Sequence, residues 1–162
     1  MAFQSTIYSK QALGKPGTVS RLNPLVKLPA IAEGDAVVAG GFVLEGTNPE
    51  LQVIGLDATT SSATAVAGVA VFEQFQPALN GLDGLNTLKI NEGENLAKVV
   101  KGYVYVKSST ASTHGQVVGV DPATGTIATA NDAASLASGY IDTGWKVETG
   151  NAAGQVCEIY NI

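Results

Sequence analysis

Few side chains in this sequence are of the kinds that do chemistry, and their spacing limits what they can do. His114 is the only histidine and Cys157 the only cysteine. One of each can assemble neither a Cys/His zinc cluster nor an intrachain disulfide. A nucleophilic relay needs an imidazole beside a hydroxyl or thiol and an orienting acid. His114 instead ends the run Ser108-Ser-Thr-Ala-Ser-Thr113 and is followed by Gly115, the setting of a solvated loop histidine. Cys157 stands between Val156 and Glu158 in a strand-like segment and reads as a small core residue. Glu92 and Glu94 flank Gly93, but two carboxylates fall short of the six or more oxygens that calcium takes. Neither a P-loop nor a Gly-x-Gly-x-x-Gly following a strand is present. Trp145, with Tyr140 nearby, is placed to be either a core anchor or a contact platform. The sequence thus offers no catalytic residue, no metal ligand set and no cofactor site, and an enzyme is not expected.

The elements that carry these residues are strands. Val99 to Lys107 alternates valine with tyrosine, lysine and glycine, a composition suited to a half-buried pleated surface. Period two puts Val100, Gly102, Val104 and Val106 on a dry face, with Val99, Lys101, Tyr103, Tyr105 and Lys107 opposite. A turn at Asn91–Asn95, centred on Gly93, precedes it. The phrase Ile90-Asn-Glu-Gly-Glu…Gly102-Tyr-Val-Tyr echoes Ile31-Ala-Glu-Gly-Asp…Gly41-Phe-Val-Leu, and Gly68-Val-Ala-Val-Phe is a partial third copy. Such recurrence points to a β domain built from similar units.

Further strands are expected at Asp35–Glu45, Leu51–Leu56, Val66–Phe75, Tyr140–Glu148 and Gln155–Ile162. Gln116–Val120 and Thr126–Thr129 form a hairpin across Asp121-Pro-Ala-Thr-Gly125, whose Pro122 and Gly125 suit the turn. Asp57–Ala65 reads as a mobile Thr/Ser/Ala loop, Gln76–Asn86 as an excursion on the rim, and Asn131–Ser138 as one helical turn. Eight or nine short strands with almost no helical period argue an all-β, β-sandwich or jelly-roll-like domain over 31–162.

Residues 1–30 differ from this. Lys10, Lys15, Arg21 and Lys27 lie here and no acid precedes Glu33, so the segment carries +4. The remainder, with five basic and fourteen acidic residues, carries −9. Gly14, Pro16, Gly17, Pro24 and Pro29 oppose a helix and a central strand, so an extended N-terminal arm is expected. Drawn out, ~28 residues span up to ~90 Å, enough to cross a neighbouring subunit. Folding back over its own acidic sheet is the other course open to the arm. Four spaced cations make a weak phosphate footprint, so nucleic acid is not the expected partner.

Charged residues are only 14% of the chain, well under the ordinary ~25%. A surface rich in Ser, Thr and Asn accounts for this, as does a surface largely covered by partners. Met1–Thr6 lacks a basic n-region and an apolar core, and no apolar run reaches 18 residues. A soluble, cytoplasmically made product with no membrane partner is therefore expected.

The Glu33-Gly34-Asp35 opening resembles the structural cement, or head decoration, proteins of tailed bacteriophages. So do the Glu92-Gly93-Glu94 turn leading to Gly102-Tyr-Val-Tyr-Val106 and the ending Gly144-Trp-Lys-Val…Ala152-Ala-Gly…Val156-Cys-Glu-Ile159. The resemblance covers most of residues 30–162. It implies a non-enzymatic virion protein on the outer surface of the capsid, bridging neighbouring major capsid subunits and stiffening the shell. It also implies a homo-oligomer, a dimer ahead of a trimer. The interface candidates are Lys10, Lys15, Arg21, Leu22, Leu25, Lys27 and Trp145. A carbohydrate- or ligand-binding β module on a virion surface is the alternative, set back by an aromatic content of only 6%.

Overall fold

The computed structural model describes residues 14–71 and 88–162. The described residues form nine strands: β1 (Val19–Glu33), β2 (Phe42–Glu45), β3 (Gln52–Gly55), β4 (Gly68–Val71), β5 (Asn95–Lys107), β6 (Val117–Val120), β7 (Ile127–Ala130), β8 (Ile141–Thr149) and β9 (Val156–Asn161). Helical structure among the described residues is confined to two three-residue 3-10 turns, Ala58–Thr60 and Ala133–Ser135. The all-β expectation holds. Val104 and Val106 are fully buried, as the alternation of β5 requires.

The strands form one continuous sheet in the order β1-β3-β2-β4-β5-β9-β8-β6-β7, and β1 also pairs with β5. That extra pairing closes β1, β3, β2, β4 and β5 into a five-stranded barrel. The other strands extend from the second half of β5 as a curled sheet. Two cores follow from this arrangement. Ala30, Ala32, Val43, Val53, Ala70 and Leu96 fill the barrel, with Val37 and Ile90 from its loops. Their neighbours on the same strands, Phe42, Val69, Val71, Ala97 and Val99, face outward. They pack on Val104, Val106, Val118, Val120, Trp145, Val147, Cys157 and Ile159 of the curled sheet. The two layers expected of a sandwich are thus the barrel wall and the far half of the same sheet. β4 lies between both cores, and all four of its residues are buried. A strand dry on both faces reads as an unbroken apolar run, as Val69-Ala-Val71 does.

β5 serves both cores by changing face midway. Its core residues are Ala97 and Val99, then Val104 and Val106, so the parity flips between them. The register shows where: Lys27 pairs with Val99 and Val26 with Lys101, leaving Val100 as the extra residue of a bulge. Strict period two put Val100 inside and Val99 outside; Val99 is the buried one, and Val100 is only half-buried. Gly102 completes the bend with φ of 137°. A Cβ there would lie 3.0 Å from the Pro24 carbonyl oxygen and 3.1 Å from Leu25 Cδ1.

β1 begins before residue 30. Residues 19–31 pair antiparallel with β5, and 31–33 pair parallel with β3. The boundary drawn at residue 30 therefore falls inside a paired strand. The prolines are accommodated because residues 22–25 loop out between the Arg21–Tyr103 and Val26–Lys101 pairs, and because no described strand pairs with the outer edge of β1 before residue 31. At the root, Gly17 N–H donates to Tyr105 O at 2.9 Å, and Gly17 and Gly40 touch backbone to backbone. This close approach turns the chain at Gly40 (φ 81°), so β2 starts at Phe42 rather than within Asp35–Ala39.

The recurring Glu-Gly turns meet in space. Gly93 N–H donates to Ala32 O at 2.8 Å and Ala32 N–H to Glu94 O at 2.9 Å. The Asp57–Ala65 loop, expected to be mobile, instead holds a capped 3-10 turn. The Asp57 side chain accepts from Thr59 N–H at 2.7 Å, and Thr60 Oγ1 donates to Pro122 O at 2.8 Å. The turn expected in 131–138 is Ala133–Ser135, capped by Asp132. The excursion Gln76–Asn86 and the Phe72–Phe75 end of the expected fourth strand lie outside the described residues.

Candidate functional site

The charged and aromatic side chains of the curled sheet gather around Arg21. Its Nη2 lies 2.9 Å from Glu148 Oε1 on β8, and its Nε lies 3.2 Å from Glu158 Oε1 on β9. The guanidinium carbon sits 4.1 Å from the centroid of the Tyr103 ring, which stacks on Tyr160 at 5.7 Å. Ser20 Oγ donates to Glu158 Oε1 at 2.5 Å, and Thr149 Oγ1 to Glu158 Oε2 at 3.1 Å. Hydrogen bonding to Glu148, with help from Glu158, raises the pKa of Arg21 above its already high ordinary value. Glu158 is nearly buried, with 7% of its side chain exposed. A buried carboxylate needs such partners. The cluster fastens β1 across β5 onto β8 and β9.

The other reactive groups are dispersed over the fold. Cys157 is fully buried, and that burial pushes its thiol pKa up, away from thiolate chemistry. His114 is exposed, with Nδ1 2.8 Å from the Glu148 carbonyl oxygen. Lys98, 5% exposed, holds both carboxylate oxygens of Glu45 at 2.8–2.9 Å. Glu33 accepts from the Thr47 hydroxyl and N–H, which lowers its pKa. Among the described residues no three His, Cys, Asp or Glu side chains are grouped so as to hold a metal. No described helix is long and apolar enough to cross a membrane. A cleft of about 780 Å³ opens where the barrel meets the curled sheet, between Lys15, Gly40, Leu88, Lys107, Thr126 and Gly154. None of its described lining residues is aromatic, so they give a sugar ring no stacking surface.

The interface candidates fall into three groups. Leu22 and Lys27 are exposed on β1, and Lys15 is exposed just before it. Arg21 is on the surface but turned to the intrachain cluster, while Leu25 packs against the core beside Gly102. Trp145, 2% exposed, is a core residue set edge-on to Phe42 with ring centroids 6.2 Å apart. It is therefore unavailable as a surface platform, the role that would have made it a contact. Lys10 lies outside the described residues. Val26, Leu28 and Leu51 are exposed apolar residues that were not among the interface candidates. Alternation gave no signal for the first two, because they follow the loop-out of residues 22–25 and lie where no described strand pairs with the outer edge of β1.

Residues 3–161 match the phage cement family, described as structural cement protein (E217 gp24/Pam3 gp6), and the chain belongs to that family. Among solved structures it is similar to a chain of the capsid of Myoviridae phage XM1. That match has a TM-score of 0.67 and 17% identity, covering 99% of this chain and 97% of the other. A second likeness is to the head fiber gp8.5 N base of bacteriophage phi29, with a TM-score of 0.49 and 13% identity over 85% of this chain and 94% of the other. A comparison with curated proteins finds no match. The protein is a phage-capsid-associated structural protein.

Proposed function

We propose that the protein binds the outside of the assembled capsid, bridges neighbouring major capsid subunits and braces the shell without catalysing a reaction. The carrying observation is the family match across residues 3–161. The fold is in keeping with it: ionisable side chains tie strands together rather than converge on a substrate. The basic segment 1–30 belongs to the attachment surface, with residues 19–30 presented as part of strand β1. Self-association, a dimer ahead of a trimer, would let one unit span two capsid subunits.

The test is co-sedimentation of the purified protein with empty expanded heads of its own phage. Saturable binding, together with greater resistance of the decorated heads to heat or osmotic shock, is the expected result. Failure to bind, or binding without any gain in head stability, would refute the bracing role.

A further inference from the structure

Strand β1 is held to the sheet in two different ways along its length. From Lys27 to Ile31 it runs in unbroken register along β5, from Val99 back to Asn95. Ala30 and Ala32 are buried in the barrel, and Ala32 N–H donates to Glu94 O at 2.9 Å. The stretch 18–25 is built otherwise. No residue in it is fully buried, its register with β5 breaks on both sides of Arg21, and residues 22–25 loop out. Val19 and Leu25 reach the core only in part. The chain is anchored just ahead of this stretch, where Gly17 N–H donates to Tyr105 O and Gly17 packs on Gly40. It is anchored again behind, by the ladder from Lys27 onward.

Between those anchors the fastening is polar. Ser20 donates to Glu158, and Arg21 grips Glu148 and Glu158 while its guanidinium covers the Tyr103 ring. Apolar burial does not weaken as salt rises, whereas charge pairing at an exposed side chain does. The Arg21 side chain is 44% exposed, so salt reaches its bonds. Segments with few buried contacts open locally, at a free energy below that of global unfolding. Opening of 18–25 would uncover Tyr103 and the carboxylates of Glu148 and Glu158 and leave the barrel closed. Thr149 would still donate to Glu158, and His114 Nδ1 would still stand 3.8 Å from Glu148.

We propose that residues 18–25 form a strap that opens independently of the rest of β1, with Arg21 as its clasp. The experiment is native-state hydrogen exchange of the full chain, read residue by residue by NMR. It compares Tyr105 N–H, which donates to Thr18 O at 3.0 Å, with Ala32 N–H in the barrel. Raising salt from about 0.1 to about 1 M shortens screening to ~3 Å and should speed exchange at Tyr105 several-fold relative to Ala32. Arg21→Gln should speed it about tenfold, as expected when one hydrogen bond between charged groups is lost. Arg21→Lys keeps the charge but not the planar fork, and should fall between. Lys15→Gln removes an exposed cation just outside the strap and should match wild type. The salt series needs no substitution, so it decides the matter even where Arg21→Gln does not fold. Equal acceleration at Tyr105 and Ala32 would show that β1 opens as one piece, and overturns the strap. Unchanged exchange at Tyr105, or an equal effect of Lys15→Gln, overturns the clasp and the proposal with it.

Discussion

Valine 99 and valine 100 give the sharpest test of the fold, because simple alternation and the bulged strand assign them opposite roles. Val99 is fully buried between the barrel wall and the curled sheet, whereas Val100 is half-buried at the bulge. Val99→Ala removes two buried carbon groups at about 0.8 kcal/mol each, ~1.6 kcal/mol of transfer free energy. The space left behind adds roughly 1 kcal/mol if the surrounding valines do not close on it, at about 24 cal/mol per Å³ of residual cavity. A loss of about 2–3 kcal/mol is expected, lowering the melting temperature by roughly 5–10 °C for a domain of this size. Val100→Ala, with less surface to lose and room to relax, should cost under about 1 kcal/mol. Urea unfolding of both variants, monitored by the buried Trp145, gives the two midpoints directly. Equal losses, or the larger loss at Val100, would show that β5 keeps strict alternation and that the bulge is misplaced.

Gly102→Val should destabilise more than either, since its backbone has φ of 137° and its missing Cβ would press on Pro24 O and Leu25; a wild-type melting temperature would contradict the bend. Removing residues 1–29 should lower the melting temperature and admit a hydrophobic dye, because residues 19–29 cover one edge of β5; an equally stable truncated core would show that β1 is dispensable in cis. Hydrogen bonds from Thr47 and Thr59 depress the pKa values of Glu33 and Asp57 below their unfolded values near ~4.3 and ~3.9. Their contribution is present above those values and is lost as pH falls through the lower folded ones. Thr47→Val should therefore flatten the dependence of the urea midpoint on pH below about 4. Cys157 should resist a water-soluble thiol reagent in the native state and label at the rate of unfolding once denaturant is added; rapid native labelling would mean that β9 is not covered.

How far the chain could be read from its residues depended on whether a segment's neighbours were local. Val104 and Val106 were legible because tyrosine and lysine alternate with them, and the hairpin at 117–130 because Asp121, Pro122 and Gly125 encode its turn. The flip at Val100 was not, since it is set by where β1 loops out. β1 itself was obscured by Pro24 and Pro29, which bar a central strand but are tolerated on an edge. Arg21 looked like a cation awaiting a partner. Its carboxylates, Glu148 and Glu158, stand 127 and 137 residues away in sequence and meet it only through the β5–β9–β8 order. Leu22 and Leu25 are chemically alike, and only the loop-out sends one to solvent and the other to the core. The Asp57 turn was more readable than the loop reading allowed: an Asp followed three residues later by Thr60 is a capping pattern, and both side chains bond as caps.

The shared strand β5 also governs how the molecule carries load. No linker separates the barrel from the curled sheet; thirteen residues of one strand run through both. A force pulling one half away from the other along that strand acts in shear on its ladders with β1, β4 and β9. Bonds loaded in shear resist together, whereas a peeled hairpin yields one pair at a time. The bend at Gly102 does not act as a joint, because Leu25 and the Pro24 carbonyl back it from one side and β9 pairs across it from the other. The two halves therefore move as a single strut, and tension entering at the barrel is delivered to β8 and β9 without a soft point between.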